Sequence, residues 1–300
     1  IGKVLSLSPE KDFSLAYSPE RISPGDIGKS ASDVARIVGS NDPMVGAELA
    51  EMYSKITAGG CTHVGPIEVA EAAKMVENTQ RDIDIAFVNE LSILLPKLGL
   101  DVEKVLEAAD TKWNFHRHTP GLGVGGHCIP IDPHYYIEIA ERYGVNSALS
   151  PAARSLNSSM PSHSAREIVT LCGSQPDRVL ILGYSYKPNI SDTRETPVIP
   201  LIEKLHSSGP IKIFVWDPLV EAEKIQFPAE KIDNVYSLDK IDCLVVATSH
   251  DCILELDWGR LKEIMSSPKI FDSRRCLDGQ GLRESGWDFH AIGMPRDRLE

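Results

Sequence analysis

"HTPGLGVGGHCIPIDPHYY", residues 118–136, spells G-x-G-x-x-G at Gly121, Gly123 and Gly126. In a dinucleotide-binding turn a β-strand would precede those glycines. A helix would open on them, so that the pyrophosphate met its N-terminus. Neither flank fits. The preceding "TKWNFHRHTP" is polar and aromatic with no β-branched run, and Pro130 and Pro133 would break a helix opening at the glycines. The stretch is therefore not the nucleotide-binding turn of a Rossmann sheet. Its glycines serve Cys128 instead: lacking side chains, they let backbone approach a ligand and leave the thiol open to it.

The doubly wound pattern lies downstream. "RVLILGYSYKP" (178–188) is a continuous apolar strand ending in Gly183. "TPVIPLIEKLHSSG" reads as a helix despite its early prolines, and "IKIFVWDP", "IDCLVVATSH" and "PKIFDSRR" supply further strands. Strands alternating with helices predict a parallel sheet, whose ligands sit at the carboxyl ends of the strands. That places Tyr186, Lys187, Ser249, His250, Arg274 and Arg275 near an anion pocket.

Upstream, residues 13–64 alternate short strands ("FSLAYSP", "ARIVGS", "CTHVG") with one helix, "DPMVGAELAEMYSKI", capped by Asp42 with Pro43 at its first position. A long helix then opens at Gly65 and Pro66. Val69, Ala73, Val76, Ile83, Phe87, Leu91 and Leu94 recur along it at helical spacing, which predicts a buried stripe in a central or subunit-interface position. "DVEKVLEAAD" and "HYYIEIAERYG" read as shorter helices. The expected fold is α/β, in three parts. Residues 1–65 read as the tail of a βαβ arrangement too short to be a complete sheet, and 66–156 as a helical part. Residues 157–300 would be the doubly wound, ligand-binding domain. The opening "IGKVLSLSPEKDF" reads like the middle of a protein.

Three hundred residues allow ample cores, and a formal net charge of −12 argues against nucleic-acid or anionic-membrane partners. No apolar run reaches bilayer length and no signal peptide opens the chain. The six cysteines form no C-x-x-C pair and no zinc-spaced cluster, so no metal is expected and the chain reads as reduced and cytoplasmic.

Three features carry chemistry. Cys128 stands four residues before Asp132, with prolines stiffening the backbone between them; an accessible thiol beside a carboxylate suits covalent catalysis, whereas the bland alternative is a turn whose cysteine merely packs. Lys74 and Asn78 share one helical face, different from the apolar stripe, and could stabilise an oxyanion or hold a water, or form an ordinary solvated face. Glu20, in "YSPERISPG", ends a strand where catalytic groups of α/β proteins gather, or is a surface turn carboxylate.

"YSPERISPG", "EAAKMVENTQRDIDIAFVNEL", "PGLGVGGHCIPIDP" and "GYSYKPNISDTRETP" together resemble the UDP-glucose/GDP-mannose dehydrogenase family, with most similarity to its UDP-N-acetylhexosamine branch. The resemblance runs from about Phe13 to the end and keeps the motif order. It implies an NAD-dependent, four-electron oxidation of a UDP-N-acetylhexosamine, expected to be the manno epimer, at C6 to the uronic acid. Cys128 would form a thiohemiacetal and then a thioester. Lys74 and Asn78 would serve the oxyanion, and Asp132 and Glu20 the water and protons of hydrolysis. Arg21, Gly123, Val124, Gly125, Gly126, Tyr186, Lys187 and Arg274 would contact the sugar nucleotide, and Arg194 the NAD. The resemblance makes residues 1–65 the second half of the family's N-terminal NAD-binding Rossmann domain, 66–156 its central helical, dimer-forming and catalytic domain, and 157–300 its UDP-sugar-binding domain. The G-x-G-x-x-G of the first domain is not found in this sequence. The expected alternative is thus a non-catalytic, UDP-sugar-binding or dimer-forming fragment that binds NAD hardly at all.

Overall fold

The computed structural model describes residues 11–22, 30 and 32–296; the opening "IGKVLSLSPE" lies outside them. The chain divides into two compact units, residues 1–80 and 81–300, with the division inside the long helix.

The first unit holds a three-stranded sheet: β1 (Ala16–Tyr17) pairs antiparallel with β2 (Arg36–Ser40), and β2 parallel with β3 (Cys61–His63). "FSLAYSP" yields only those two exposed strand residues. Helix α1 (Pro43–Ser54) starts as its sequence dictates. The Asp42 carboxylate accepts from the amides of Met44 and Val45, and Pro43 sits where its missing N–H costs nothing. Helix α2 (Ile67–Leu94) follows.

The expected burial of the apolar stripe of α2 holds only in part. Val69, Val76, Phe87 and Leu94 are about half exposed, at 46%, 55%, 54% and 49%, whereas Ala73, Ile83 and Leu91 are partly buried. The buried residues of α2 are Ala70, Thr79, Asp82, Ala86, Val88, Asn89 and Ser92, small or polar except for Val88. Within the single chain the more polar face is the inner one. There Asp82 and Asn89 hydrogen-bond to Arg154 and Asn157 rather than packing apolar groups.

The second unit continues α2 and adds α3 (Val102–Asp110), α4 (Asp132–Arg142) and α5 (Leu149–Cys172). Helix α5 runs unbroken across residues 156 and 157 and ends at Gly173, in the left-handed region at φ 73°. The six-stranded sheet is wholly parallel. Its strands are β4 (Arg178–Leu182), β5 (Lys212–Trp216), β6 (Ala229–Lys231), β7 (Cys243–Val246), β8 (Lys269–Asp272) and β9 (Asp288–Ala291), in the order β6-β5-β4-β7-β8-β9. The short β6 and the β9 strand had no clear signal in the sequence. Helix α6 (Val198–Ser208) follows β4, and its Leu201 and Leu205 join Ile181 and Val245 in the core on one side. Leu180, Leu182, Leu244 and Val246 build the core on the other. Burial on both faces is why these strands read as continuous apolar runs. The strand order reverses between β4 and β7, which sets the carboxyl ends of β4, β7 and β8 around a natural ligand crevice.

Candidate functional site

The candidate residues fall into two groups, one in each unit. In the second unit the glycine loop is packed against protein along most of its length. A Cβ on Gly123, at φ 116°, would stand 2.5 Å from the Asn157 carbonyl oxygen. One on Gly125 would meet Tyr186 Cβ at 2.5 Å, and one on Gly126, at φ 92°, the Tyr186 ring at 2.9 Å. The Gly126 amide also donates to the Arg194 carbonyl at 3.0 Å. These glycines are required because the loop threads between α5 and the turn after β4, a closeness no side chain tolerates. The approach expected toward a ligand is here an approach to the protein itself.

The loop delivers an exposed Cys128. The Cys128 carbonyl accepts from the amides of Ile131 (3.0 Å) and Asp132 (2.8 Å), a turn that leads directly into α4 with Asp132 as its first residue. Val124 is half-buried in the loop. Cys128 lies within electrostatic reach of Tyr186 and Arg194. Burial pushes the Tyr186 phenol up, with Asp192 adding to the effect. The Arg194 guanidinium is paired with Asp192 at 2.6 Å, which holds that carboxyl below its ordinary value. Lys187 follows Tyr186 in the same turn, its carbonyl accepting from Ser185 Oγ at 2.9 Å.

Arg274 stands at the carboxyl end of β8. Its Nη1 would be 3.3 Å from a Cβ on Gly121, so its guanidinium lies along the start of the loop. Its backbone amide is engaged by Asp272, but no hydrogen bond or ion pair of its guanidinium occurs among the described residues. Burial disfavours its charged form. A half-buried guanidinium placed so has the donor geometry to take an anion.

Two residues expected near that anion pocket have other duties. His250 is fully buried: its Nδ1 accepts from the Asn189 amide at 2.8 Å, which leaves Nε2 to donate to Asp217 Oδ2 at 3.1 Å. Ser185 Oγ is 3.2 Å from the same Nε2. Serine and aspartate therefore share one ring nitrogen, so this trio is no nucleophile relay. Asp217 also accepts from the amides of Tyr184 and Ser185, at 2.7 and 3.1 Å. Burial opposes its charge, but His250 and those amides more than offset that and hold the carboxyl low. The group fastens the turn that carries Tyr186 and Lys187. Arg275 is likewise spent on Asp101, at 2.7 Å.

In the first unit, Lys74 Nζ donates to the Glu20 carbonyl. The Glu20 carboxylate turns back onto the Ile22 amide at 2.7 Å. Arg21 pairs with Glu77 at 2.6 Å and donates to the Ala35 carbonyl at 2.9 Å. Asn78 lies half-buried one turn beyond Lys74. Lys74 and Asn78 thus stand on the helix face that continues into Asp82 and Ala86. Sequence reasoning missed Asp82, Asn89, Arg154 and Asn157, a buried polar set beneath the loop; the polar ridge 74–78–82 was the available signal. Among the described residues no cluster could hold a metal, and no helix is long and apolar enough to cross a membrane.

Two family models match the chain. They are described as the UDP-glucose/GDP-mannose dehydrogenase family's central domain, over residues 68–159, and its UDP binding domain, over 180–279. UDP-N-acetyl-D-glucosamine 6-dehydrogenase of Salmonella typhi is 34% identical over 83% of this chain, which spans 60% of that relative's length. UDP-N-acetyl-D-mannosamine dehydrogenase of Methanocaldococcus jannaschii is 31% identical over 96% of the chain and 66% of the relative. Among solved structures, the UDP-D-ManNAc dehydrogenase of Pyrococcus horikoshii superposes with a TM-score of 0.81 at 28% identity, covering 97% of this chain and 68% of that one.

Proposed function

Since the chain belongs to the UDP-glucose/GDP-mannose dehydrogenase family, we propose that it is the substrate-holding part of a UDP-N-acetylhexosamine 6-dehydrogenase. The observation that carries this reading is Arg274: a half-buried guanidinium with no hydrogen bond or ion pair among the described residues, laid along the loop that presents Cys128. A nucleotide phosphate suits the guanidinium, and Lys187 and Tyr186 stand on the neighbouring turn. Gly123, Val124, Gly125 and Gly126 are proposed as the loop's contacts to the sugar nucleotide, and Arg21, beside Glu20, as a further one.

In this reading the Cys128 thiolate adds to C6 of the sugar once it is an aldehyde and forms a thiohemiacetal; loss of a hydride to a bound NAD would turn that adduct into a thioester, which water then opens. Asp132, the first residue of α4, and Glu20 handle the water and its protons; Lys74 and Asn78 steady the developing oxyanion. NAD, which this family uses, is expected to bind this chain weakly, and the start of α1 supports that. The helix start after β2 is filled by the Asp42 carboxylate, which has taken the amides of Met44 and Val45 that a pyrophosphate would need. Arg194, proposed to face NAD, is engaged with Asp192. The exposed stripe of Val69, Val76, Phe87 and Leu94 is proposed to pair with a second copy.

Calorimetric titration tests this. UDP and both the gluco and manno UDP-N-acetylhexosamines should bind, Arg274→Ala should abolish their binding, and Cys128→Ser should preserve it. Undiminished UDP-sugar binding by Arg274→Ala sinks the reading. Oxidation without NAD binding by this chain would place the acceptor site elsewhere, while binding without any oxidation favours the non-catalytic alternative.

A further inference from the structure

Beneath the cysteine loop lies a chain of buried polar groups that joins the loop's two ends. The Gly121 amide donates to Asn89 Oδ1 at 2.9 Å. Asn89 Nδ2 donates to Asn157 Oδ1 at 2.9 Å, and Asn157 Nδ2 to Asp82 Oδ1 at 2.8 Å. Arg154 Nε donates to Asp82 Oδ2 at 2.8 Å, and its Nη1 to the Pro130 carbonyl at 3.2 Å. These five bonds run from α2 to α5 and back, starting at one end of the 121–130 segment and finishing at the other. Asp82, Asn89 and Asn157 are at most 1% exposed, and Arg154 is 8% exposed.

We propose that Asp82, Asn89, Arg154 and Asn157 are positioning residues that fix the loop in the conformation presenting Cys128. Resting on the function proposed above, the inference extends it to groups that touch no substrate. Three observations converge. A core of this size could have been closed with apolar side chains, which is often at least as stable as a buried ion pair. The set instead places one donor and one acceptor on the two loop ends. The Asn157 carbonyl also stands where it excludes any side chain at position 123, so the same helix residue fixes the middle of the loop. The amide side chains of Asn89 and Asn157 use both their donor and acceptor faces, which leaves the network one orientation.

Hydrogen exchange on the unmodified chain provides the first measurement. The Gly121 amide should exchange as slowly as amides of β4, although it lies in a loop; exchange at the rate of an open peptide would overturn the clamp. Asn89→Ala should speed Gly121 exchange about tenfold or more while leaving β4 unchanged, as loss of one buried anchor implies. The second readout is alkylation of Cys128 by iodoacetamide, followed on its own peptide, with and without UDP-N-acetylglucosamine. Asn89→Ala and Arg154→Lys, whose single ammonium cannot reach both Asp82 and Pro130 as the guanidinium does, should change the Cys128 rate and weaken its protection by the nucleotide sugar. Unchanged exchange and alkylation in variants that are merely less heat-stable would reduce the network to a structural role and overturn the proposal. Altered Gly121 exchange with no UDP-sugar protection in any form supports the clamp and counts against the proposed function instead. If Asn89→Ala fails to fold, the exchange of Gly121 in the unmodified chain still decides.

Discussion

Two buried aspartates fasten two segments of the candidate site by different means. Asp82 is held by side chains, Arg154 and Asn157, reaching from another helix, and it secures the loop before Cys128. Asp217 is held largely by its neighbours' backbone amides and by His250, and it secures the turn bearing Tyr186 and Lys187. The outcome for the charge is opposite. Burial pushes the Asp82 carboxyl above its ordinary value despite Arg154, whereas Asp217 stays below it. At Asp217 the His250 hydrogen bond, together with fixed amide dipoles at a strand end, outweighs burial; at Asp82 the cross-helix arginine has to be buried along with its partner, and burial wins.

The hardest break of that contrast is Arg154→Ala. It strands Asp82 in the core, and the expected loss is about 3–5 kcal/mol in urea unfolding. A loss under about 1 kcal/mol would mean that Asp82 simply takes up a proton or finds water. Next comes Asp217→Asn, which removes the charge that two amides and His250 address and should cost about 1–3 kcal/mol at neutral pH. Because the native Asp217 carboxyl lies low, its contribution is present above the ordinary carboxylate value of 3.8 and disappears as pH falls through the native value. The gap between wild type and this variant should therefore narrow in acid.

Asp82→Asn should show the reverse slope. A carboxyl raised by folding contributes most below the ordinary 3.8 and loses that contribution as pH rises through its native value. Its gap to wild type should shrink toward neutrality, and parallel slopes for the two variants would erase the distinction. The smallest effect is expected for Phe87→Ser on the exposed side of α2, opposite the face that carries Asp82: within about 0.5 kcal/mol for the isolated chain. A concentration-dependent fall in sedimentation coefficient is expected at the same time if that face pairs with a second copy.

Much was legible in the sequence for local reasons. Asp42 followed by Pro43 specified the start of α1, and the apolar runs of β4, β5, β7 and β8 specified strands buried on both sides. The flanks of Gly121, Gly123 and Gly126 were enough to reject a dinucleotide turn, and the position of Arg274 after a strand was enough to place it at a sheet's ligand edge. These follow from capping, from the two-residue and 3.6-residue periods, and from proline's missing donor, all of which act within a few residues. Tertiary structure decided the rest. Which face of α2 turns inward depends on Arg154 and Asn157, which bond to Asp82 from 72 and 75 residues away. His250 is an internal strut because Asp217 and Asn189 meet it from 33 and 61 residues away. The space that the glycines open is filled by Tyr186 and by a carbonyl of α5. A sequence pattern marks a surface as apolar or polar, but the partner that covers it is chosen by distant segments, because hydrogen-bond satisfaction in a core is a property of the assembled helices and strands.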